Sequence, residues 1–531
     1  MKLHKSRILV FLLILVMILT VITGCKKEPA EDPSTPSDTG AASPTETTPE
    51  EPESKAPKYV FLFIGDGMSF PQLSALGYYN GTLEHNFTGT LKEPTPDNIP
   101  QAEMPSFTQF PIVGSCTTYD ASKFVTDSAS AATALASGTK TLDGIIGQDA
   151  FNNDVATIAE LAHEQLGYKV GIISSVSLDH ATPAAFYSHV PSRNMYYDIA
   201  LQMLDSGFEY FGGGGFWYMN GYEGEQEKSM FDLAEEAGYK VANTINDIEA
   251  LDGSAGKALA VNPVLDGASA LPFGIDRDDS TSLALHDFVR KGIDVLGDEQ
   301  GFFMMVESGK IDWACHANDA ITAIIEVKEL ENAINVAVEF ADAHPDETLI
   351  IVTGDHETGG FSNGYQGTEY DTYFSILSEQ KVSSGVYTDM VAEYIPNGTT
   401  FDEAMEDIKE LFGLVRPDDP DAETLANKAM ILTEKDMEMF EAAYEQTMTP
   451  IDERDLTDQG YRLLYGTYRA EPIVITATHI INNKAGIGWS TTSHSALPAA
   501  VFARGAGQET FSGFYDNTDV FNKIKALLEI S

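Results

Sequence analysis

The chain has 531 residues, 43% of them hydrophobic, enough for a large core and for more than one compact unit. Its 81 Asp and Glu outnumber 32 Lys and Arg, for a formal net charge of -49. Such a surface repels polyphosphate backbones and excludes nucleic-acid binding by charge; a site that processes anions here needs strong local positive charge, such as metal ions.

Residues 1–25 read as a secretory signal: Lys2, Lys5 and Arg7 precede an apolar run too short for a comfortable membrane span. The run ends in Thr23-Gly24-Cys25, which resembles a bacterial lipobox and implies an exported lipoprotein, held to the cell membrane through lipidated Cys25 and facing the extracellular space or periplasm. A plain N-terminal anchor helix is the alternative. Residues 26–57, rich in Pro, Glu, Ser and Thr, cannot bury enough apolar surface to fold and read as an acidic tether. Cys116 and Cys315 remain as a pair that could meet, without forming a disulfide framework.

The folded part is expected over 58–531. Residues 59–64 form a continuous apolar run, a strand buried on both faces, closed by Gly65-Asp66-Gly67. Asp66 then lies where open α/β sheets place active-site groups, or in a plain turn. Residues 80–111 read as a loop and 112–119 as a strand. An Ala-rich buried helix follows Thr126-Asp127-Ser128. A serine there sits in the positive end of the helix dipole, where an anion or alkoxide is favoured; an ordinary N-cap is the simpler reading. A helix at 155–166 and a strand at 168–174 lead to His180, Thr182 and Arg193. Helices are predicted near 196–205 and 228–237, a Gly-rich turn at 212–215, a strand at 257–261 and a helix at 282–296. The strand at 301–306 runs into Glu307, a helix covers 320–343, and the strand at 348–352 runs into Asp355 and His356. This alternation predicts an α/β fold with a mainly parallel central sheet covered by helices on both faces. Residues 361–470 are acidic and helix-rich and read as an insertion on the sheet's rim. Helical signal follows 472, His494 lies in a loop, and a strand at 498–502 and a helix at 520–528 close the chain.

Asp66, Glu307, Asp312, His316, Asp355, His356 and His494 are hard oxygen and borderline nitrogen donors, a mixture that suits zinc together with magnesium. Asp312 and His316 are four apart and share one face of a helix, as do many surface pairs.

Taken in order, Gly65-Asp66-Gly67-Met68, Thr126-Asp127-Ser128-Ala129, His180-Ala-Thr182-Pro183 with Arg193, Glu307 with Asp312 and His316, Asp355-His356 and His494-Ser495 resemble the alkaline phosphatase family over about 59–360 and 470–531. The resemblance implies a three-layer sandwich and a phosphoserine at Ser128. It implies one zinc on Asp312, His316 and His494, and a second on Asp66, Asp355 and His356. A magnesium would be shared by Asp66, Thr182 and Glu307. Arg193 would grip two phosphate oxygens, oriented by Asp127. Small phosphate monoesters are the implied substrates, phosphate scavenging the implied purpose and a homodimer a common assembly. His180 stands where some members have an acid that holds magnesium-bound water, which implies weaker magnesium binding. Trp313 stands where others have Lys or His, which removes a positive charge near the phosphate.

The alternatives are a related metal-dependent esterase acting on phosphodiesters or sulfates and a non-catalytic lipoprotein that binds phosphate or metal. Ser128-Ala-Ser-Ala-Ala lacks the sulfatase setting, and Thr182 with Glu307 favours the monoester. Binding alone needs no nucleophile. His189 reads as a hydrogen-bonded core histidine and Glu357 as either buried support or a solvated side chain.

Overall fold

The computed structural model describes residues 56–531 apart from 86, 88, 90–92, 94, 96–97 and 467–470. The predicted signal and Cys25 lie outside the described residues, as does the tether up to residue 55. Among the described residues no helix is long and apolar enough to cross a membrane.

Ten strands form one sheet. In chain order they are β1 (Tyr59–Gly65), β2 (Ile112–Thr117), β3 (Lys169–Ser174), β4 (Tyr210–Gly213), β5 (Lys240–Ala242), β6 (Ala258–Val261), β7 (Phe302–Ser308), β8 (Thr348–Gly354), β11 (Ala499–Gly505) and β12 (Gly513–Asp516). A separate pair, β9 (Glu357–Thr358) and β10 (His494–Ser495), is antiparallel. The spatial order is β12-β2-β11-β8-β1-β7-β3-β4-β6-β5, parallel throughout except for β11. This is the mainly parallel α/β architecture the alternation predicts.

β1 lies at the centre, and every residue of it is buried. Its side chains alternate between two cores: Tyr59, Phe61 and Phe63 enter one, Val60, Leu62 and Ile64 the other. The helices that matter for the site are α1 (Phe70–Glu84), α2 (Ser128–Ser137), α3 (Ile158–Leu166), α4 (Lys310–His316), α5 (Ala320–Ala343), α6 (Ser384–Ala392), α7 (Phe401–Phe412), α8 (Glu434–Thr447) and α9 (Pro472–Ala485). All ten residues of α2 are buried, as its small side chains allow.

Two local readings are corrected. Helix α1 occupies a stretch without a predicted element and overlaps the start of the expected 80–111 loop; Pro71 in its first turn and Gln72 accepting the Ser69 N–H at 3.0 Å mark its start. Gly212 and Gly213 end strand β4 rather than forming a turn, since they pair with Ile173 and Ser174 of β3 and Ala260 and Val261 of β6; a Cβ at Gly213 would meet the Ser174 carbonyl at 1.9 Å, so glycine is required there.

The 361–470 segment carries α6, α7 and α8, which pack against α9. Tyr387, Ile408, Phe412 and Phe440 enter the same buried cluster as Phe61 and Phe63. Asp319 at the start of α5 accepts the Ser384 N–H at 2.7 Å and the Gln380 amide at 2.9 Å, tying α6 to the main body. Cys116 and Cys315 are both buried and free.

His189 is a hydrogen-bonded structural group. Its Nδ1 meets the Gly147 carbonyl at 2.7 Å and its Nε2 meets Glu160 at 2.8 Å. Glu160 also accepts the Thr157 N–H at the start of α3. Burial opposes the imidazolium, but Glu160 and the Gly147 carbonyl outweigh it and raise the His189 pKa to about 9.

Two outcomes are expected. Phe412→Ala should cost about 3–5 kcal/mol and lower a single unfolding transition, because the cavity opens in the shared core; an unchanged midpoint in thermal or urea unfolding would refute this. The folded His189 binds its proton more tightly than an ordinary histidine at 6.5, so its contribution is complete below that pH and disappears as pH rises through about 9. The melting-temperature gap between wild type and His189→Gln should therefore shrink across that window, and a pH-independent gap would rule the pair out as its source.

Candidate active site

The registry of the central strands builds the site. Ile64 of β1 pairs with Glu307 of β7 and Thr353 of β8, and Ser174 of β3 pairs with Glu307. The C-terminal ends are therefore level, and Asp66, Glu307, Asp355 and His356 emerge side by side, all buried. Helix α4 follows β7 and brings Asp312 and His316, with His316 Nε2 3.3 Å from Asp312 Oδ2. The turn after β1 packs directly on α4: Gly67 has φ 75°, and a Cβ there would lie 2.8 Å from the Asp312 Cα. The β9–β10 pair delivers His494 across from Thr358.

The histidine protons define what the cluster holds. His494 Nδ1 faces the Thr126 carbonyl at 2.7 Å and His316 Nδ1 the Thr492 carbonyl at 2.6 Å. Carbonyls accept only, so both Nδ1 atoms donate. Thr358 Oγ1 gives its proton to Asp312 and lies 3.3 Å from His356 Nδ1, which therefore donates to it. In the neutral rings all three Nε2 atoms are then lone pairs. His494 Nε2 lies 3.2 Å from His316 Nε2 and 3.6 Å from Asp312 Oδ1. His356 Nε2 lies 3.3 Å from both Asp66 Oδ1 and Asp355 Oδ2, oxygens without a hydrogen-bond donor. Lone pairs facing carboxylates at these distances demand cations.

Three donor sets could hold them, each with its atoms within 4.8 Å: Asp66, Asp355 and His356; Asp312, His356 and His494; and Asp66, His180 and Glu307. His316 adjoins the second set through Asp312 and His494. Thr182 Oγ1 lies 3.4 Å from Asp66 Oδ2, beside the third. Arg193 Nη2 donates to His180 Nε2 at 3.3 Å, so neutral His180 carries its proton on Nδ1. His180 is therefore less suited than the Thr182 oxygen to complete the third set.

The charges respond to this crowding. Burial, with Asp355, Asp312 and Glu307, pushes the Asp66 carboxyl well above its usual range. Burial and Asp312 do the same to Asp355. Asp312 is held well below its usual range, because His316 and His494 outweigh its burial. Burial and neighbouring His494 push His356 well down, and burial with Arg193 takes His180 to about 3.

Ser128 is the first residue of α2, and Asp127 caps that helix by accepting the Ser130 N–H at 3.0 Å. The N-cap reading of the Asp127-Ser128 pair holds, with Ser128 at the first position of the helix. Ser128 Oγ lies 3.2 Å from His356 Nε2. Asp127 Oδ2 accepts from Arg193 Nη1 and from the Gly144 N–H, each at 3.0 Å. Against burial, Arg193 and Ser130 hold the Asp127 carboxyl below its usual range, so it stays charged. Ser128, Arg193, His180, Asp312, His316 and His494 border a cavity of about 950 Å³.

Of the two readings of Glu357, buried support holds, and Thr358 and Ser174 are supports the sequence reading missed. Glu357 is buried: it accepts from Gln72 of α1 at 2.9 Å and from Ser495, next to His494, so it ties α1 to the strand that bears His494. Thr358 connects Asp312 to His356. The Ser174 hydroxyl donates to Glu307. Thr358 follows His356 by two residues in extended chain and so shares its face, a signal that could have found it.

The family model described as alkaline phosphatase matches residues 57–530. The chain is 30% identical over 483 residues to alkaline phosphatase 3 of Bacillus subtilis (strain 168), covering 88% of this chain and 89% of that protein. Its structure resembles the cold-active alkaline phosphatase of a psychrophilic Shewanella sp., at 27% identity and a TM-score of 0.68, over 88% of this chain and 99% of that one. Thermus thermophilus alkaline phosphatase shares the fold, with a TM-score of 0.70 at 22% identity, over 92% of this chain and 96% of that one. The chain belongs to the alkaline phosphatase family and is a phosphatase.

Proposed function

We propose that the protein hydrolyses small phosphate monoesters through a phosphoserine at Ser128, with two zinc ions and one magnesium. It would act outside the cell to release phosphate, held to the membrane by lipidated Cys25 and the tether of residues 26–57. The observation that carries the catalytic reading is the convergence on one cavity of Ser128, the Asp127-held Arg193, Asp312, His316 and His494, with His356 Nε2 3.2 Å from Ser128 Oγ. Asp312, His316 and His494 would hold one zinc, Asp66, Asp355 and His356 the other. Asp66, Thr182 and Glu307 would hold the magnesium, an all-oxygen set that suits its hardness. A homodimer is the proposed assembly, from the family resemblance alone.

When bound, the cations would supply Lewis acidity to the phosphoryl transfer. The residues do the rest. The α2 N-terminus favours negative charge on Ser128 Oγ, and no histidine general base is required. Arg193, kept in plane by Asp127, presents two N–H groups to two non-bridging phosphate oxygens. Ser128 Oγ attacks phosphorus, the bond from phosphorus to the alcohol oxygen breaks, and the alcohol leaves with a proton. Water then attacks the phosphoserine from the vacated side, releasing phosphate and restoring the hydroxyl.

Chelation of the full chain should abolish hydrolysis of a chromogenic aryl phosphate, and zinc plus magnesium should restore it. Ser128→Ala should lower kcat by about a thousandfold or more while the fold and metal content persist. Folded, metal-loaded protein that turns over only diesters, or merely retains phosphate stoichiometrically, would overturn the monoesterase reading. Arg193→Ala should weaken inhibition by inorganic phosphate by about 10- to 100-fold, since a charge-assisted bidentate contact is lost; unchanged inhibition would take Arg193 out of the phosphate site.

A further inference from the structure

The cavity of about 950 Å³ is much larger than a phosphoryl group requires and matches the upper end of pockets that hold drug-sized ligands, roughly 300–1,000 Å³. Ser128, Arg193, Asp312, His316 and His494 line one part of it. The other part is bordered by the 264–282 segment, by the first turn of α6 and by Val474 and Ile475 of α9.

That far wall hangs on a buried ammonium. Lys310, the first residue of α4, has a fully buried side chain. Its Nζ pairs with Asp266 and lies 3.7 Å from the Phe273 ring centroid and 4.9 Å from that of Trp313. Asp266 in turn accepts the N–H groups of Ala268 and Ala270 at 2.9 and 3.0 Å, closing the turn that carries the wall. Trp313 packs edge-on against His180, with centroids 5.9 Å apart, next to Arg193. One cation thus links the phosphate end of the cavity to the aromatic face opposite. The wall has other tethers, Gly274 N–H to Glu326 at 2.7 Å and Ser383 N–H to Asp276 at 2.9 Å, but neither touches Trp313. Asp276, Asp278 and Asp389 also border the cavity, and Arg277 between the first two is taken up by Asp279 and Glu329.

We propose that Lys310 is a positioning residue that sets leaving-group preference. It holds Phe273 and Trp313 as one aromatic wall, so that the cavity takes phosphate monoesters of flat, apolar alcohols in preference to esters of short alcohols or of alcohols bearing a further negative charge. The proposal rests on the monoesterase reading above. Flat apolar groups gain burial and ring contact against Phe273 and Trp313. Anionic ones meet the three carboxylates.

The test compares 2-phenylethyl phosphate with ethyl phosphate, whose leaving oxygens are alike, on the full chain loaded with zinc and magnesium. Wild type should prefer the phenylethyl ester by about tenfold or more in kcat/KM, and a para-carboxylate on the ring should remove most of that preference at low salt. Lys310→Met should cut the preference to about threefold or less, mainly through KM, with ethyl phosphate turnover and inhibition by inorganic phosphate nearly unchanged. Lys310→Arg should restore it. Asp266→Asn breaks the same contact from the partly exposed side and carries the test if Lys310→Met does not fold. An undiminished preference in both variants, or an equal loss for both esters together with weaker phosphate inhibition, would overturn the proposal. No turnover of either ester by wild type would instead overturn the monoesterase reading.

Discussion

The structure depends on the repulsion among buried donors at the ends of β1, β7 and β8. Asp66, Glu307, Asp312 and Asp355 are buried within one neighbourhood, and three imidazoles turn lone pairs toward them. Without positive charge this arrangement opposes folding, because buried carboxylates that face each other are destabilised both by burial and by one another. A chain with a net charge of -49 keeps this cluster because divalent cations answer the demand. The same cations resolve the conflict between an acidic surface and an anionic substrate. Long-range repulsion is screened beyond about 10 Å at ordinary salt, so positive charge bordering the cavity, such as that of Arg193, counts at short range.

The backbone around this cluster is correspondingly rigid. Side chains of β1 are locked into both cores, and level strand ends follow from an uninterrupted parallel register. Gly67 allows α4 to approach the first turn, and β9–β10 clamps His494 beside His356, whose rings stack at 3.7 Å. Glu357 and Thr358 hold these pieces through hydrogen bonds that leave no freedom in ring orientation. In this way a tautomer choice, set by carbonyls of Thr126 and Thr492, becomes a property of the metal centre.

Much of this was legible in sequence because it is local. The Ala run of α2, the 24-residue helix at 320–343 and the helix at 401–412 carry their own periodicity, and strand ends in a parallel sheet are where acids acquire meaning. The candidate residues were found by their order along the chain, and the structure brings them together. What escaped depends on distant contacts. In α1, Gly77 and Gly81 obscure the helical pattern; the reason for Gly81 lies twenty residues on, where the Gln101 carbonyl would sit 1.9 Å from any Cβ. The joining of the 361–470 helices to the main core is likewise invisible in their composition, since it depends on α9. The burial of Glu357 could not be read from a charged residue next to a ligand, because its partners Gln72 and Ser495 lie 285 and 138 residues away.

The two-residue strand β10 has a consequence for biosynthesis. A ribosome delivers this chain from its N-terminus, and Asp66, Ser128, Arg193, Glu307, Asp312 and Asp355 all emerge before His494. The strand that bears His494 docks on β9, and β11, which follows it, is the sheet's single antiparallel member, inserted between β2 and β8. Until that C-terminal segment has been made and seated, the donor set around Asp312 is incomplete and the sheet is in two parts. A nascent or truncated chain that lacks this segment thus has neither the complete donor set around Asp312 nor a continuous sheet, and both are in place only after the last tenth of the polypeptide has arrived.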